Sequence, residues 1–354
     1  MKILHIAPFN VANVPMTFIQ AERQLGHYSR LITFSKNPQG FPEDICLNLP
    51  LVNFKGIIHF KRLIGGKSRT EITNIEPKLS SLPPTWRPNQ LEKLFIKFRE
   101  LFWQPTIKKA YQYYQLDQFD VIQLDGGIGF FRDGSDVIRL KQLSKKIICC
   151  YTGSDLRIRG VIPQIDSVSD LNITVEYDHL KLHPKIHHIF FPFDIEKFKP
   201  LPYRDDEILL IGHAPTNRAA KGSNVIIPTV KELEKNYPVK LILIENLAYH
   251  EALKQKATCH IFIDQIGDLG YGINSLESLA MGIPTCSCLA PGFDEQYPDH
   301  PFIVINEQNL RSRLISLIQN KELRIKKTKE GREWVKKYND PIQIVQRIHQ
   351  LAKL

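Results

Sequence analysis

The glycine-rich stretch at residues 264–284 is the strongest candidate for a ligand site. A predicted strand ends at Asp264, a turn with several glycines follows, and a short predicted helix ends at Gly282. Glycines let a ligand approach the backbone, and the free N–H groups at the start of a helix attract phosphate. The residues predicted to bind substrate in this stretch are Gly270, Tyr271, Gly272, Ile273, Asn274 and Glu277.

Glu277 has two interpretations on the residues alone. Its predicted place is the first turn of the helix, where its carboxylate could accept hydrogen bonds from both hydroxyls of a ribose. Alternatively, Asn274 and Glu277 have the spacing of a capping box, and the helix dipole favours an acid in the first turn. The pattern leaves both interpretations open.

A second loop, which follows the predicted strand at 208–212, carries two cations. Arg218 can bind phosphate in bidentate fashion, Lys221 can act as a point charge, and a predicted helix begins just after them. We predict that both residues act as catalytic groups that stabilise an anion, and that His213 beside them contacts the substrate. A solvated basic loop is the alternative interpretation.

A third loop, in the first half of the chain, follows the predicted strand at 146–151. It contains Gly153, Ser154, Asp155 and Arg157, which we predict to contact a substrate. A structural ion pair between Asp155 and Arg157 is the alternative interpretation.

Alternating strands and helices must position these loops. Strands are predicted at 3–7, 29–34, 121–124, 146–151, 172–175, 188–191, 208–212, 240–245, 260–264, 284–288 and 302–305. Helical patterns separate most of them, which is typical of parallel sheets with helices on both faces. We therefore predict an α/β fold of two Rossmann-like, doubly wound domains that face each other across a cleft.

The predicted domains are residues 1–193 and 194–340, joined by a segment rich in proline and charge. A last helix at 341–354 is expected to pack back on the first domain. An irregular, proline-punctuated and basic insertion is predicted at about 35–88.

Positive charge is concentrated next to a predicted amphipathic helix that begins near residue 90. The net charge is +10, and the stretch at 53–110 holds twelve basic and four acidic residues. The apolar residues of the helix that share one face are Leu91, Leu94, Phe95, Phe98, Leu101 and Phe102. This pattern is compatible with peripheral contact with an anionic membrane and hence with a lipid-linked acceptor. A helix packed on the domain core with its cations in water is the alternative.

Composition excludes several classes of protein. The first apolar run is too short for a secretory signal, and no run of about 18 apolar residues would span a membrane, so we predict a cytoplasmic protein. Five of the six cysteines lie in or beside apolar strand-like runs, as free buried cysteines do. No motif for nucleic-acid recognition accompanies the positive charge, so no nucleic-acid partner is expected.

The stretch around Glu277 resembles the nucleotide-sugar signature of GT-B glycosyltransferases, especially the retaining family 4 group. There a Gly-aromatic-Gly turn, here residues 270–272, leads to a Glu in a helix that ends before a Gly-x-Pro, here residues 282–284. In that family the Glu holds the ribose of the donor. By the same resemblance, Arg218 and Lys221 match the element that holds the leaving diphosphate, so neither a metal nor another cofactor is expected.

The resemblance also assigns positions in the first domain and departs at one site. Asn13 lies where the family often has a loop near the donor phosphate, and Asp125 lies near the position of a histidine that faces the transferred sugar. We therefore include Asn13 as a substrate contact and Asp125 as a catalytic candidate. A second family Glu, eight residues before the first, is Leu269 here, with Asp268 beside it.

The resemblance implies a hexosyltransferase for polysaccharide synthesis. The enzyme would move a sugar from a nucleotide sugar to a hydroxyl of a glycan or a lipid-linked acceptor, with retention of anomeric configuration. Two alternatives remain open. One is a noncatalytic GT-B protein that binds a nucleotide sugar or a polysaccharide during assembly, and the other is a sugar-nucleotide epimerase on the same fold.

Overall fold

A computed structural model describes residues 1–52, 82–267 and 270–354. The chain forms two compact units. Unit 1 comprises Met1–Pro192 together with Pro341–Leu354, and unit 2 comprises Phe193–Asp340. The last helix belongs to unit 1, where it packs against the first helix of the chain.

Unit 1 is built on a parallel sheet. Among the described residues its seven strands have the order β3-β2-β1-β4-β5-β6-β7. The strands are β1 (Lys2–Ala7), β2 (Tyr28–Thr33), β3 (Ile45–Cys46), β4 (Val121–Asp125), β5 (Lys146–Tyr151), β6 (Leu171–Thr174) and β7 (Ile186–His188). The α-helices are α1 (Val14–Gln24), α2 (Gln90–Tyr113), α3 (Ser135–Gln142), α4 (Pro163–Asp166) and α12 (Pro341–Ala352), with short helical turns at Val11–Asn13, Leu116–Gln118, Asp155–Arg159 and Tyr177–Lys181.

Unit 2 has a smaller parallel sheet. Within the described part of the chain its five strands have the order β12-β11-β10-β8-β9. The strands are β8 (Leu209–His213), β9 (Val239–Leu243), β10 (Ile261–Ile263), β11 (Thr285–Ser287) and β12 (Ile303–Val304). The helices are α5 (Arg218–Lys221), α6 (Ser223–Leu233), α7 (Tyr249–Lys256), α8 (Ile273–Met281), α9 (Phe293–Gln296), α10 (Leu310–Gln319) and α11 (Lys321–Tyr338), with a short turn at Ile195–Lys197.

The strands form because their apolar runs are buried on both faces, as parallel strands between two layers of helices are. Every residue of β4 is buried, as are five of the six residues of β1 and of β5. Leu4 and Ile122 belong to the core of unit 1, and Ile211 and Ile261 belong to the core of unit 2. In each sheet the carboxyl ends of neighbouring strands open into the loops that carry the candidate residues.

Several strands begin or end one or two residues from their predicted bounds, and two elements of unit 1 differ by more. The last strand of unit 1 was predicted at 188–191, but β7 ends at His188, because the parallel ladder with β6 ends at the pair of Thr174 and His188. β3 lies inside the region predicted as an irregular insertion and pairs with β2. Residues 53–81 of that region lie outside the described residues.

Helix α2 packs with the side opposite to its larger apolar face. Ile96, Trp103, Ile107 and Ala110 are buried, and the indole of Trp103 donates to the carbonyl of Pro50 at 2.7 Å. The residues of the predicted apolar face that stay 54% to 67% exposed are Leu91, Leu94, Phe98, Leu101 and Phe102. We call these five residues the apolar stripe of α2. Its outward orientation is the reverse of an ordinary amphipathic surface helix.

Candidate functional site

Two neighbouring strands of unit 2 bring the basic loop and the glycine-rich turn together. β8 and β10 pair in parallel, so the loops that follow them emerge at the same edge of the sheet. Lys221, at the end of α5, donates to Asp264 Oδ1 at 2.7 Å and also to Gln265 Oε1. The amide of Ile266 donates to the carbonyl of Lys221 at 3.2 Å. The two stretches singled out from the sequence are therefore one structural cluster.

Asp264 organises this cluster. Its second carboxylate oxygen accepts from the amide of Gly272 at 3.0 Å and from the hydroxyl of Ser275 at 2.7 Å. Burial alone would raise the pKa of Asp264, but Lys221 and the hydrogen bonds from Ser275 and Gly272 outweigh burial and lower it. An ionised Asp264 therefore holds the ammonium group of Lys221 next to the first turn of α8.

Glu277 lies in a buried polar network. Its Oε1 accepts from the hydroxyl of Tyr249 at 2.8 Å, and its Oε2 is ion-paired with Nζ of Lys256. The same Nζ donates to Oδ1 of Asn274 at 2.7 Å and lies 4.8 Å from the centre of the Phe262 ring. Burial and Glu277 raise the pKa of Tyr249, so its hydroxyl stays protonated and can donate.

The capping interpretation of Glu277 is wrong. Helix α8 begins at Ile273 with Gly272 as its N-cap, and no acidic residue lies in its first turn. Glu277 is in the second turn, two residues beyond the capping-box position, which is Ser275. Asp264, from the loop before the helix, accepts from the amide of the N-cap residue Gly272 and from the hydroxyl of Ser275 instead.

The other residues of the turn have different surroundings. The side-chain amide of Gln265 donates to the carbonyl of Gly270. The ring of Tyr271 is buried and stacks on Phe302 with 4.7 Å between centroids, so it packs in the core of unit 2. Ile273 opens α8 and is partly exposed. Asp268 and Leu269 lie outside the described residues.

Arg218 and His213 lie beside the cluster with partners of their own. Arg218 makes a two-pronged ion pair with Glu245, at 2.8 and 2.6 Å, and its side chain is 60% exposed. His213 is buried, and its ring nitrogens contact the carbonyl of Ile263 and the hydroxyl of Ser223. Burial lowers the pKa of His213, which keeps the imidazole neutral at pH 7. Arg218 is thus the more accessible of the two.

In unit 1, Asp125 ends β4 inside a buried network. Its carboxylate accepts from the amide nitrogen of Gln123 at 2.9 Å and contacts Nδ1 of His5 at 3.1 Å. Nε2 of His5 contacts Glu22 at 3.1 Å. Burial by itself lowers the pKa of His5, but Glu22 and Asp125 outweigh it and raise that pKa to about 10. A charged His5 therefore lies between two carboxylates.

The loop after β5 is held by two separate sets of contacts. Asp155 accepts from the amides of Thr152, Gly153 and Leu156 at 2.8 to 2.9 Å. Arg157 pairs instead with acidic residues from the loop after β6, Glu176 and Asp178. The alternative of an ion pair between Asp155 and Arg157 is therefore wrong. The carboxylate of Asp155 accepts from amides close to it in sequence, and the guanidinium of Arg157 binds Glu176 and Asp178.

Ser154 and Asn13 occupy the remaining predicted positions. Ser154 is exposed at the start of the Asp155–Arg159 turn. Asn13 has a φ of 62° in the left-handed region and precedes α1, and its Oδ1 accepts from the side-chain amide of Asn10 at 3.0 Å. Asn13 thus fixes the shape of the first loop.

Sequence reasoning missed two residues that hold the site together. Asp264 was identified only as the end of a strand, although an acid directly after a buried strand and before a glycine turn is a usable signal. Lys256 is only 1% exposed, but it follows an ordinary polar helical pattern that carries no such signal. Its burial depends on contacts with Asn274 and Glu277 of α8 and with the ring of Phe262 in β10.

Among the described residues, no group of three or more His, Cys, Asp or Glu side chains is placed to hold a metal ion. No helix among those residues is long and apolar enough to cross a membrane.

Comparison with solved structures identifies the architecture. A glycosyltransferase from Rickettsia africae ESF-5 matches 99% of this chain over 97% of its own length, with a TM-score of 0.60 and 12% identity. A sucrose-phosphate synthase from Thermosynechococcus elongatus matches 100% of this chain over 98% of its own length, with a TM-score of 0.58 and 13% identity. Neither a protein-family model nor a curated protein matches the sequence.

These similarities confirm the fold class predicted from the sequence. The chain has the α/β architecture of GT-B glycosyltransferases, with two Rossmann-like units that each contain a parallel sheet. At such low sequence identity the similarity shows the fold alone, because one fold can carry many different activities.

Proposed function

We propose that this chain is a metal-independent glycosyltransferase that takes a sugar from a nucleotide sugar bound by unit 2. The observation that carries the proposal is Lys221, held by the ionised Asp264 beside the glycine turn and the first amides of α8. An ammonium ion and a helix N-terminus at one place are suited to a diphosphate. The glycosyltransferase architecture of the fold supports the same conclusion.

The chemistry would depend on stabilising the leaving group. As the bond between the anomeric carbon and the donor phosphate breaks, negative charge grows on the diphosphate oxygens. Two of the three ammonium protons of Lys221 face Asp264 and Gln265, which leaves one for a phosphate oxygen. Arg218 is exposed enough to release Glu245 and bind the same diphosphate.

Glu277 is proposed to contact the ribose. Its pairing with Lys256 and Tyr249 holds the carboxylate in one orientation. Each carboxylate oxygen has a second lone pair, so both oxygens can still accept from hydroxyls. In this role Lys256 and Tyr249 are positioning residues.

The acceptor is proposed to bind unit 1 and to be a hydroxyl of a glycan or of a lipid-linked sugar. The loops after β4 and β5, with Asp125 and residues 153–157, lie at the carboxyl edge of that sheet. Retention of configuration and a hexosyl donor belong to the same proposal, and both follow from the resemblance to family 4. The role would lie in polysaccharide synthesis in the cytoplasm.

Contact with an anionic membrane surface is the second part of the proposal. The apolar stripe of α2 is exposed, and Lys97, Lys108 and Lys109 are exposed on the same helix. Apolar side chains that enter the headgroup region, with lysines that reach anionic lipids, are typical of helices that lie in a membrane interface. Such contact would bring unit 1 to a lipid-linked acceptor.

The deciding experiment measures donor turnover. Purified protein is incubated with UDP-, GDP- and ADP-sugars, and release of the nucleoside diphosphate is measured with and without acceptors. We expect one donor to be consumed, and Lys221→Met to slow its turnover by about a hundredfold or more. Lys231→Met is the matched control, since Lys231 pairs with Glu234 on the surface of the same unit.

The alternatives predict other results. A protein that binds a donor tightly without any turnover would be a noncatalytic binding protein. Conversion of the donor to an epimer without an acceptor would identify an epimerase. Absence of both binding and turnover for all three nucleotides would refute the assignment of unit 2 as a donor unit.

A further inference from the structure

Three arginines converge on the edge of unit 1 where the loops after β4 and β5 meet. Arg99 comes from α2, Arg132 from the loop after β4, and Arg159 from the turn after β5. β4 and β5 are neighbours in the sheet, so their loops are adjacent. The proposed function uses none of these three residues, which we call the arginine cluster.

Hydrogen bonds place the members of the cluster. One oxygen of Glu100 accepts from the main-chain amide of Arg132 at 2.9 Å and lies 3.5 Å from Nη2 of Arg99. The guanidinium of Arg99 stacks 4.1 Å above the ring of Trp103. Arg159 donates to the carbonyl of Gly126 at 2.5 Å. Each arginine therefore has a different partner: the ring of Trp103 for Arg99, Glu100 for the main chain of Arg132, and the carbonyl of Gly126 for Arg159.

Two guanidinium nitrogens of the cluster lack an acceptor. Nη1 of Arg132 and Nε of Arg99 are buried, and within the described part of the chain they have no hydrogen-bond partner. Nη2 of Arg99 is buried as well, and its contact with Glu100 at 3.5 Å is long. A buried donor without an acceptor costs about 1–3 kcal/mol, and a charged donor costs more. Two such atoms at one place, from different segments of the chain, indicate that an acceptor is missing rather than that packing is imperfect.

The charge balance indicates an anion. Burial, Arg159 and Arg99 lower the pKa of Arg132 to about 9, so like charges lie close together. Glu100 and Glu92 offset only part of this effect. Asp155 is near Arg159, but its carboxylate is taken up by the amides of its own turn. Guanidinium groups match tetrahedral oxyanions through paired N–H donors.

We propose that Arg99, Arg132 and Arg159 bind a phosphate group of the acceptor substrate. That the phosphate belongs to the acceptor rests on the proposed function, whereas the phosphate site itself rests on the geometry of unit 1. The side chain of Arg99 is 11% exposed, so the cluster lies under the surface and still reaches solvent. The phosphate belongs to a soluble sugar phosphate or to a lipid-linked phosphate, which offer the same group to the arginines.

The test uses the full chain and inorganic phosphate as its first probe. Phosphate at saturating concentration is expected to raise the unfolding temperature of the wild type, because a ligand that binds only the folded state stabilises it. Arg132→Gln should weaken phosphate binding by about tenfold or more. Arg139→Gln is the matched control, because Arg139 is already paired with Asp117. That control should bind phosphate like the wild type.

A second readout separates binding from folding. Without phosphate, Arg132→Gln should be as stable as the wild type or more stable, since it removes a buried charge without a partner. The proposal would be overturned if Arg132→Gln were strongly destabilised without phosphate and Arg159→Gln bound phosphate as well as the wild type does. Equal stabilisation by phosphate in the wild type and in both variants would overturn it as well.

Two further arms identify the source of the phosphate. A hexose 6-phosphate in solution and a polyprenyl phosphate in vesicles are each titrated against the wild type and against Arg132→Gln. Binding of either probe that depends on Arg132 supports the site and names its ligand. The donor experiment on unit 2 is read separately, so a lost donor activity with intact phosphate binding refutes the proposed function alone. Donor turnover to neutral acceptors, without any phosphate binding, refutes only this inference.

Discussion

Lys256 and Glu277 form an ion pair inside unit 2, and the side chains of both are almost completely buried. The pair links the end of α7 to the second turn of α8. Tyr249 donates to one carboxylate oxygen of Glu277 and Lys256 donates to the other, while Lys256 also donates to the side-chain oxygen of Asn274. The residue proposed to hold the ribose is therefore also part of the internal structure of the unit.

Removal of Lys256 should destabilise the protein strongly. Lys256→Met leaves Glu277 as a buried charge with only a tyrosine donor, which costs about 3–5 kcal/mol. Urea unfolding would measure this loss. Lys254→Met, on the exposed side of the same helix, should change the unfolding free energy by less than about 0.5 kcal/mol. Combining Lys256→Met with Glu277→Gln should recover part of the loss, and a double variant as unstable as the sum of the single ones would contradict the pairing.

Gly267→Ala should weaken donor binding. A Cβ at this position would lie 2.5 Å from the carbonyl oxygen of Ala220, so the α5 backbone that carries Lys221 must move. We expect a higher Kd for the donor by about tenfold. Gly26→Ala is the control for backbone strain without a clash, since the φ of 83° at Gly26 is unfavourable for alanine but nothing lies within 4 Å of the added atom. An unchanged Kd in Gly267→Ala would separate this glycine from the donor site.

The stability of unit 1 should fall as pH rises from about 6.5 to 10. The folded-state pKa of His5 is about 10, above the ordinary value of 6.5, so its charged form is stabilised by folding. That contribution is complete below pH 6.5 and is lost as pH rises through 10, at up to about 1.4 kcal/mol per pH unit. The charged groups around His5 are Glu22 and Asp125, with His349 near Glu22.

Hydrogen exchange of the β1 and β4 amides would measure this dependence on pH. His5→Gln should remove most of the slope, after correction for the intrinsic exchange rate. His250→Gln, which replaces an exposed histidine of unit 2, should keep the slope. A slope that survives in His5→Gln would assign the effect to other groups.

The apolar stripe of α2 should govern binding to anionic vesicles. Replacing Leu94 and Phe98 with Gln removes two exposed apolar side chains and should reduce sedimentation with vesicles that contain phosphatidylglycerol. Lys97→Gln should reduce binding by about fivefold at low salt, at about 1 kcal/mol per cation. Ile208→Gln, an exposed apolar residue of unit 2, should have no effect. Equal binding of all variants would exclude a role of the apolar stripe in membrane contact, and equal binding to neutral vesicles would exclude a preference for anionic lipid.

Sequence patterns located most elements because their signals are local. The strand at Lys146–Tyr151 and the helix at Ile273–Met281 have the predicted bounds, since a buried apolar run and a glycine after a helix depend on neighbouring residues only. The repeated alternation of strands and helices was enough to predict the fold class. Helix α2 also begins where its pattern indicated.

The spacing of apolar residues in α2 did not predict which face of the helix packs against the core. The helix carries two apolar stripes, and periodicity cannot decide which one packs when each is spaced for a helix. Trp103 and Ile107 face the core because neighbouring elements supply a complementary surface there, as the contact of Trp103 with Phe34 illustrates. The other set of apolar residues, the apolar stripe of α2, remains exposed.

The amino-acid sequence by itself determined the alternation of elements, the glycine turn after Asp264, and the set of basic residues near it. Only the tertiary structure decided which charges meet: Lys221 with Asp264, Lys256 with Glu277, and Arg132 with Arg99. The first two partnerships join residues 43 and 21 positions apart along the chain. Such pairs depend on strand order and helix packing, and ion pairs between distant segments leave no periodic trace in a sequence.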